Sequence, residues 1–403
     1  MNLFKKAIAV VIAAILVVSA ASCSLTKQSS YKYGDKTYDI GVYIYSLYSA
    51  YTTAQGYAEK VKDCKESESF MDLKITDDDG EKAVARDWIK DKADEAAKEL
   101  VVVDKLIDEK KVDIAKSELE TAEESCKSAW EMGPYAAYSA QYYNPLKDQL
   151  EDYGISFDSF KQLYISPVGS SIYAVKTSKL FDAIYGKGGS EEVSDSDLEK
   201  FFTENYLGYS SIPVNLYSSE TDSDGNSSSK AYSDKKIKKI TAALEDYASK
   251  IASGELSFDD ASKKIQKAYG VEESSVTSNS VDTKENLEKN NEDIFKALKK
   301  LENGKASVIT VGKDGDSPSA YLIVKNDLKD EVKNYVKGDK RTSVLQNMKS
   351  DDFKKFLKDQ AKKLSDDKKF EKNSGAIDSY DPNMFFTKPD TSSSSSSSSS
   401  KAE

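Results

Sequence analysis

Histidine is absent from all 403 residues. That removes Ser-His-Asp and Cys-His nucleophile pairs, zinc held through imidazole, and any acid–base step at an imidazole ring. Cysteine is scarce: Cys23, Cys64 and Cys126, with no C-x-x-C spacing, so neither a dithiol redox motif nor a cysteine zinc site is present. Cys64 and Cys126 could form one long-range disulfide in an oxidising compartment, or could equally be small buried apolar residues; the reading adopted is the unpaired one. There is no P-loop, and Gly312, Gly315 and the Gly188-Gly189 pair do not make a dinucleotide fingerprint. Asp77-Asp78-Asp79-Gly80 lacks the spaced acids and closing Glu of a calcium loop and reads as a solvated turn. Positive charge is in deficit, with 58 Lys and Arg against 69 Asp and Glu. Binding nucleic acid through phosphate needs clustered cations, so no nucleic-acid partner is expected. No metal or cofactor is implied.

What is present begins at the N-terminus. Lys5 and Lys6 precede an unbroken apolar run, Ala7 to Val18, and then small residues, Ser19-Ala20-Ala21-Ser22-Cys23. The run is short for a membrane span and has the layout of a secretory signal peptide over 1–22. Ala20-Ala21-Ser22-Cys23 resembles a bacterial lipobox, with Ala20 where Leu or Val is commoner. That resemblance implies acylation of Cys23, which becomes the mature N-terminus. The alternative is ordinary cleavage after Ala21 or Ser22, with Cys23 incidental. Either way the rest of the chain lies outside the cytoplasm, and on the first reading the lipid anchors it to the cell membrane. Loss of Lys5 and Lys6 lowers the 58 bases to 56 against 69 acids, a net of −13, so electrostatic adhesion to anionic lipid would add nothing.

Periodicity organises the remainder. Residues 23–36 read as a lipidated tether. Ile40, Tyr43, Ile44, Leu47, Tyr48 and Tyr51 recur at helical steps. Between Arg86 and Lys111, Ile89, Ala93, Ala96, Leu100, Val103 and Ile107 form one apolar stripe with Lys and Glu opposite. Further helices are predicted up to Tyr185, and Ser194 with Asp197 has capping-box spacing at the start of another. Ile212, Val214 and Leu216 alternate as in a half-buried strand. Helices around Ile240 and Ile265, a short one ending at Asn303-Gly304, and two β segments at 306–311 and 320–325 follow, with 271–291 loosely patterned. The chain then returns to helix over 328–366. Nine serines, 392–400, close it and cannot bury apolar area.

Three local patterns in residues 210–327 resemble a parvulin-type prolyl isomerase domain. They are the segment Lys250 to Ala261, which contains Gly254, Phe258 and Ala261, the turn Leu298 to Ser307, and the closing strand Tyr321 to Lys325. Val193 to Tyr206 resembles the linker helix of PrsA- and SurA-like foldases, in which N- and C-terminal helices form a chaperone lobe around an inserted isomerase. The resemblance covers most of 37–366. It implies an α+β fold, mostly α, with a helical SurA N-like region at 37–206, a parvulin-like domain at 207–327, a C-terminal helical segment at 328–387 and a serine-rich tail at 388–403. It also carries departures. The family sets one histidine in the first strand and one in the last on the floor of its proline pocket. Asn215 and Leu322 stand at those positions here, and the glycine-rich middle is not recognisable within 271–291. Isomerisation needs a pocket that binds the twisted amide best, against a barrier of about 20 kcal/mol. A pocket without its polar floor implies activity that is weak or lost.

The resemblance implies a foldase whose partners are unfolded or nascent secreted polypeptides. Tyrosine supplies the surface such a role needs, since it combines apolar area with a hydroxyl at low entropy cost. The chain has 25 of them, dense in its first third. Tyr43, Tyr48, Tyr51, Tyr135, Tyr138, Tyr142 and Tyr143 are the peptide-binding candidates, although each singly also fits a half-buried helix face. Three other readings stay open: an active isomerase using Asn215 with nearby tyrosines, a solute-binding lipoprotein, which requires repeated parallel β-α-β units, and a structural surface protein with no preference for unfolded chains.

Overall fold

A computed structural model describes residues 28–386 except 63, 66, 67, 137, 222–226 and 314. The signal-like segment, Cys23 with the start of the expected tether (residues 23–27), and the serine tail lie outside the described residues. Among the described residues the fold is α+β and mostly α, 55% helix and 16% strand in small sheets. It divides into two compact units. Among the described residues one unit combines those up to Glu192 with those from Ser350, and the other is Val193–Lys349. The sequence reading drew the inserted domain more tightly, at 207–327.

The first unit opens with a hairpin of β1 (Ser29–Tyr33) and β2 (Lys36–Asp39), part of it where the tether was expected. Then come α1 (Ile40–Ala58), a second hairpin of β3 (Lys74–Thr76) and β4 (Lys82–Val84), α2 (Ala85–Lys110), α3 (Lys116–Met132), α4 (Lys147–Asp152), α5 (Phe157–Leu163) and α6 (Ile172–Tyr185). The Asp77–Gly80 turn joins β3 to β4 and is not simply solvated. Asp77 is buried, and its carboxylate accepts from the backbone N–H of Asp79 (3.1 Å) and Glu81 (2.8 Å) and from Trp88 Nε1 (3.1 Å). It organises the turn and fixes the first turn of α2.

Helix α2 departs from the single stripe its periodicity predicts. Ile89, Ala93, Leu100 and Val103 are buried, but so are Val101, Val102 and Asp104 beside them, while Ala96 and Ile107 are only half-buried. A helix apolar on all sides is an interior helix, and α2 is one through this turn. Its buried carboxylate is neutralised locally. Asp104 takes Lys176 Nζ at 2.7 Å and the Tyr38 hydroxyl at 2.8 Å, and pairs with Lys36.

The second unit starts at α7 (Asp195–Asn205), capped by Ser194, whose Oγ accepts from Asp197 N at 3.1 Å. It continues through β5 (Tyr206–Asn215), the hairpin β6 (Tyr217–Thr221) and β7 (Ser227–Ala231), α8 (Asp234–Ser253), α9 (Phe258–Tyr269), β8 (Thr277–Thr283), α10 (Lys284–Asn290), α11 (Glu292–Leu298), β9 (Ala306–Val311) and β10 (Ser319–Asn326). Gly254 ends α8 in the left-handed region at φ +77°, where glycine has no Cβ penalty. An antiparallel sheet runs β8-β5-β10-β9. Strand alternation divides its core in two. Ile212, Val214 and Leu322 face Ile240, Leu244 and Ile265 of α8 and α9, while Leu207 and Ile323 face Leu287, Phe295 and Leu298 of α10 and α11.

Helix α12 (Arg341–Leu364) follows. The first unit is then completed by β11 (Phe370–Lys372), α13 (Ser374–Ile377) and a tight 3-10 turn, Pro382–Phe385. β11 pairs with β1, giving the order β11-β1-β2. Phe385 plugs an aromatic cluster with Tyr153 (4.8 Å between centroids), Tyr48 (5.4 Å) and Tyr51 (5.5 Å).

Candidate functional site

The structure separates the seven tyrosine candidates into two sets. Tyr43 is 2% exposed and Tyr51 7%, and burial pushes both hydroxyls up to about 12. Tyr48 is half-buried against Tyr153 and Phe385. These three build the core of the first unit and are not a binding surface. Helix α1 turns Tyr43 and Tyr51 toward α2 and the C-terminal turn, because its periodic face is the interior one. Tyr135, Tyr138, Tyr142 and Tyr143 are different, at 48%, 69%, 50% and 64% exposed.

Those four occupy one loop between α3 and α4. No charged residue occurs from Met132 to Leu146, in a chain where 32% of residues are charged. The loop is closed at its neck by two backbone bonds, Asn144 N to Met132 O at 2.9 Å and Leu146 N to Trp130 O at 3.1 Å. Gly133 makes that closure possible. Its φ is +106°, and a Cβ there would stand 2.6 Å from Asn144 O. Within the loop, Tyr138 N donates to Tyr135 O (3.0 Å) and Tyr142 N to Ser139 O (2.9 Å). Short turns thus satisfy part of the backbone and leave the aromatic rings outward, the arrangement of a compact Ω-loop.

A rigid aromatic base lies beneath. Trp130 at the neck contacts Phe160 (5.1 Å) and Phe157 (5.9 Å), Phe160 stacks on Tyr164 (4.5 Å), and Tyr45 meets Phe160 edge-on (5.2 Å). Tyr164 is buried and lies close enough to Tyr135 and Cys126 to feel both. Its neighbour Ile165 is 64% exposed, and Met132 is 42%. The rings and these aliphatic groups leave an apolar surface on a fixed footing. Met132, Ile165 and Gly133 escaped the sequence reading. The charge-free run from Met132 to Leu146 was the available signal for the whole loop.

The two positions assigned to the prolyl pocket are not brought together. Leu322 is fully buried under α8 and pairs with Ile212, whereas Asn215 is exposed at the end of β5 opposite Ser319. Their parity along the paired strands puts them on opposite faces of the sheet. They cannot form one pocket floor, with or without histidine, so neither residue keeps its assigned role.

Cys126 is a buried free thiol, its pKa raised by burial, and it is not joined to Cys64. Among the described residues no group of three or more His, Cys, Asp or Glu side chains could hold a metal, and no helix is long and apolar enough to cross a membrane. All described strand pairings are antiparallel, so the parallel units required by a solute-binding reading do not occur among them. No protein-family model matches the chain, and no curated protein matches it.

Proposed function

We propose that this chain is an extracytoplasmic chaperone of the foldase type, held at the cell membrane through a lipid on Cys23, that binds unfolded secreted polypeptides on the tyrosine loop. One observation carries the reading: four exposed tyrosines on a charge-free loop closed at its neck. Rigid aromatic rings with hydroxyl edges bind many extended segments without demanding one sequence. Exposed apolar groups clustered in this way mark an interaction surface. The second unit supports the foldase part only through its order of elements, strand, helix pair, short helices and closing hairpin. Prolyl isomerisation is weak or lost, because no histidine exists to restore the pocket floor and the two aligned positions face apart. Membrane tethering would keep the loop near emerging chains and raise its effective concentration there.

The test titrates the full chain in detergent into an aggregating unfolded client, with the native client as control. Suppressed aggregation and selective binding of the unfolded form are expected. Both are expected to fall sharply in a Tyr138→Ser/Tyr143→Ser double variant whose thermal unfolding is unchanged, since exposed substitutions cost within about 0.5 kcal/mol. Suppression that is equal in the double variant would remove the loop from the mechanism. Exchange of an X-Pro peptide is expected at the uncatalysed rate.

A further inference from the structure

The charge around the loop selects among unfolded segments. From 127 to 161 the chain carries three bases, Lys127, Lys147 and Lys161, and five acids: Glu131, Asp148, Glu151, Asp152 and Asp158. Lys161 pairs with Asp158 at 2.9 Å and with Glu123 at 2.7 Å, which leaves Glu131, Asp148, Glu151 and Asp152 as the acids next to the loop. All five are exposed. Glu131 directly precedes the charge-free stretch and reaches Lys127 only at 4.0 Å, and Asp148, Glu151 and Asp152 follow within two turns of α4. Helix α3 ends at Met132, so its partial negative end adds to the same field. The tyrosine rings contribute in kind, because an aromatic face attracts a cation. Apolar area, ring faces and acidic side chains thus share one loop and the helix turns that flank it.

We propose that the tyrosine loop preferentially takes extended apolar segments that carry lysine or arginine, a deepening that rests on the polypeptide-binding reading above. Aliphatic side chains of the segment lie against the rings with Met132 and Ile165, and its cations meet ring faces and the rim carboxylates. Acidic segments are repelled. A second copy of this chain is a poor occupant for the same reason, since it brings another acidic rim to a protein with net charge −11.

The experiment measures binding of three peptides to the full chain: one of Leu, Val, Ser and Gly with interspersed lysines, the same peptide with glutamines in their place, and the same with glutamates. The expected order is lysine, glutamine, glutamate, with lysine favoured over glutamate by roughly tenfold or more at low ionic strength. That ratio is expected to shrink as salt approaches about 1 M, where charges more than a few ångströms apart are screened. A Glu131→Gln/Asp148→Asn/Glu151→Gln/Asp152→Asn variant, folded by circular dichroism, is expected to lose the ratio while still binding the glutamine peptide. Equal affinities for all three peptides would overturn charge selection and leave the loop as a general binder. If no peptide bound, the polypeptide-binding reading would fall, and charge selection with it. If mass rose with protein concentration and self-association blocked the peptides, a second copy would be the occupant and the proposal would be overturned.

Discussion

Asp104 and Lys176 meet at 2.7 Å inside the first unit, with only 5% and 18% of their side chains exposed. Burial by itself would raise the Asp104 pKa. Lys176 and Lys36 outweigh it and hold the carboxyl below its ordinary value. The carboxylate also takes the hydroxyl of Tyr38, a residue 1% exposed. This one group joins β2, α2 and α6.

Asp104→Ala is expected to destabilise the first unit by about 3 kcal/mol, because it strands a half-buried ammonium and a buried hydroxyl together. Since the folded pKa is depressed, the contribution is fully present above the ordinary Asp value and is lost as pH falls through the lower folded one. Urea midpoints of wild type and variant should therefore converge on acidification. Midpoints that stay equally far apart at low pH would contradict this account.

Glu99 has the opposite sign. Burial first, and the like charge of Glu95 second, push its carboxyl from 4.5 up to about 7, against Lys358 and Lys92. Between those two pH values the folded state holds a proton that the unfolded chain releases. Stability therefore falls as pH rises across that window and stays lower above it. Glu99→Gln is expected to be more stable than wild type at pH above about 7 by roughly 2 kcal/mol, and equal to it near pH 4. Thermal melts at both pH values measure this, and an equal gain at both would point to packing instead.

Gly133→Ala tests the loop neck. The new Cβ would collide with Asn144 O in a backbone conformation that L residues rarely adopt, at a cost of about 1–3 kcal/mol. Hydrogen exchange at the Asn144 and Leu146 amides should accelerate, and unfolded-client binding should weaken as the rings lose their fixed base. Unchanged exchange at both amides would mean that the neck does not depend on glycine.

Phe385→Ala removes the plug from the cluster of Tyr48, Tyr51 and Tyr153. Phe385 is 5% exposed, and truncating a buried Phe costs about 3–5 kcal/mol. Denaturation should show that loss in the transition of the first unit. The residue sits near the end of the described chain, so a C-terminal truncation just before Pro382 should reproduce the effect.

Helices α1, α2 and α8 were legible because each repeats apolar residues at the helical period, and α7 because Ser194 and Asp197 mark its start. Periodicity shows that a face exists but not whether it meets protein or water. Tyrosine suits either, which is why Tyr43 and Tyr51 read as surface and lie in the core. Strand β8 gave no signal because it is a polar edge strand with Asn279 at φ +48° and an irregular register against β5. Strands β1 and β11 were invisible for another reason. Each is short, and Tyr31 finds Lys372, and Tyr33 finds Phe370, only across nearly the whole chain. The opposite-facing parity of Asn215 and Leu322 required the register of β5 against β10, which local pattern does not contain.

The pairing of β1 with β11 sets an order of assembly. Val193–Lys349 is continuous and has every strand it needs as soon as its last residue is made. The other unit is not: Tyr31 must wait for Phe370, which stacks on it at 5.9 Å, and Tyr48 must wait for Phe385. A chain that emerges N-terminus first therefore carries its earliest strand with one edge open until almost the last residues arrive. Throughout that interval this protein is itself an incomplete polypeptide with exposed aromatic side chains.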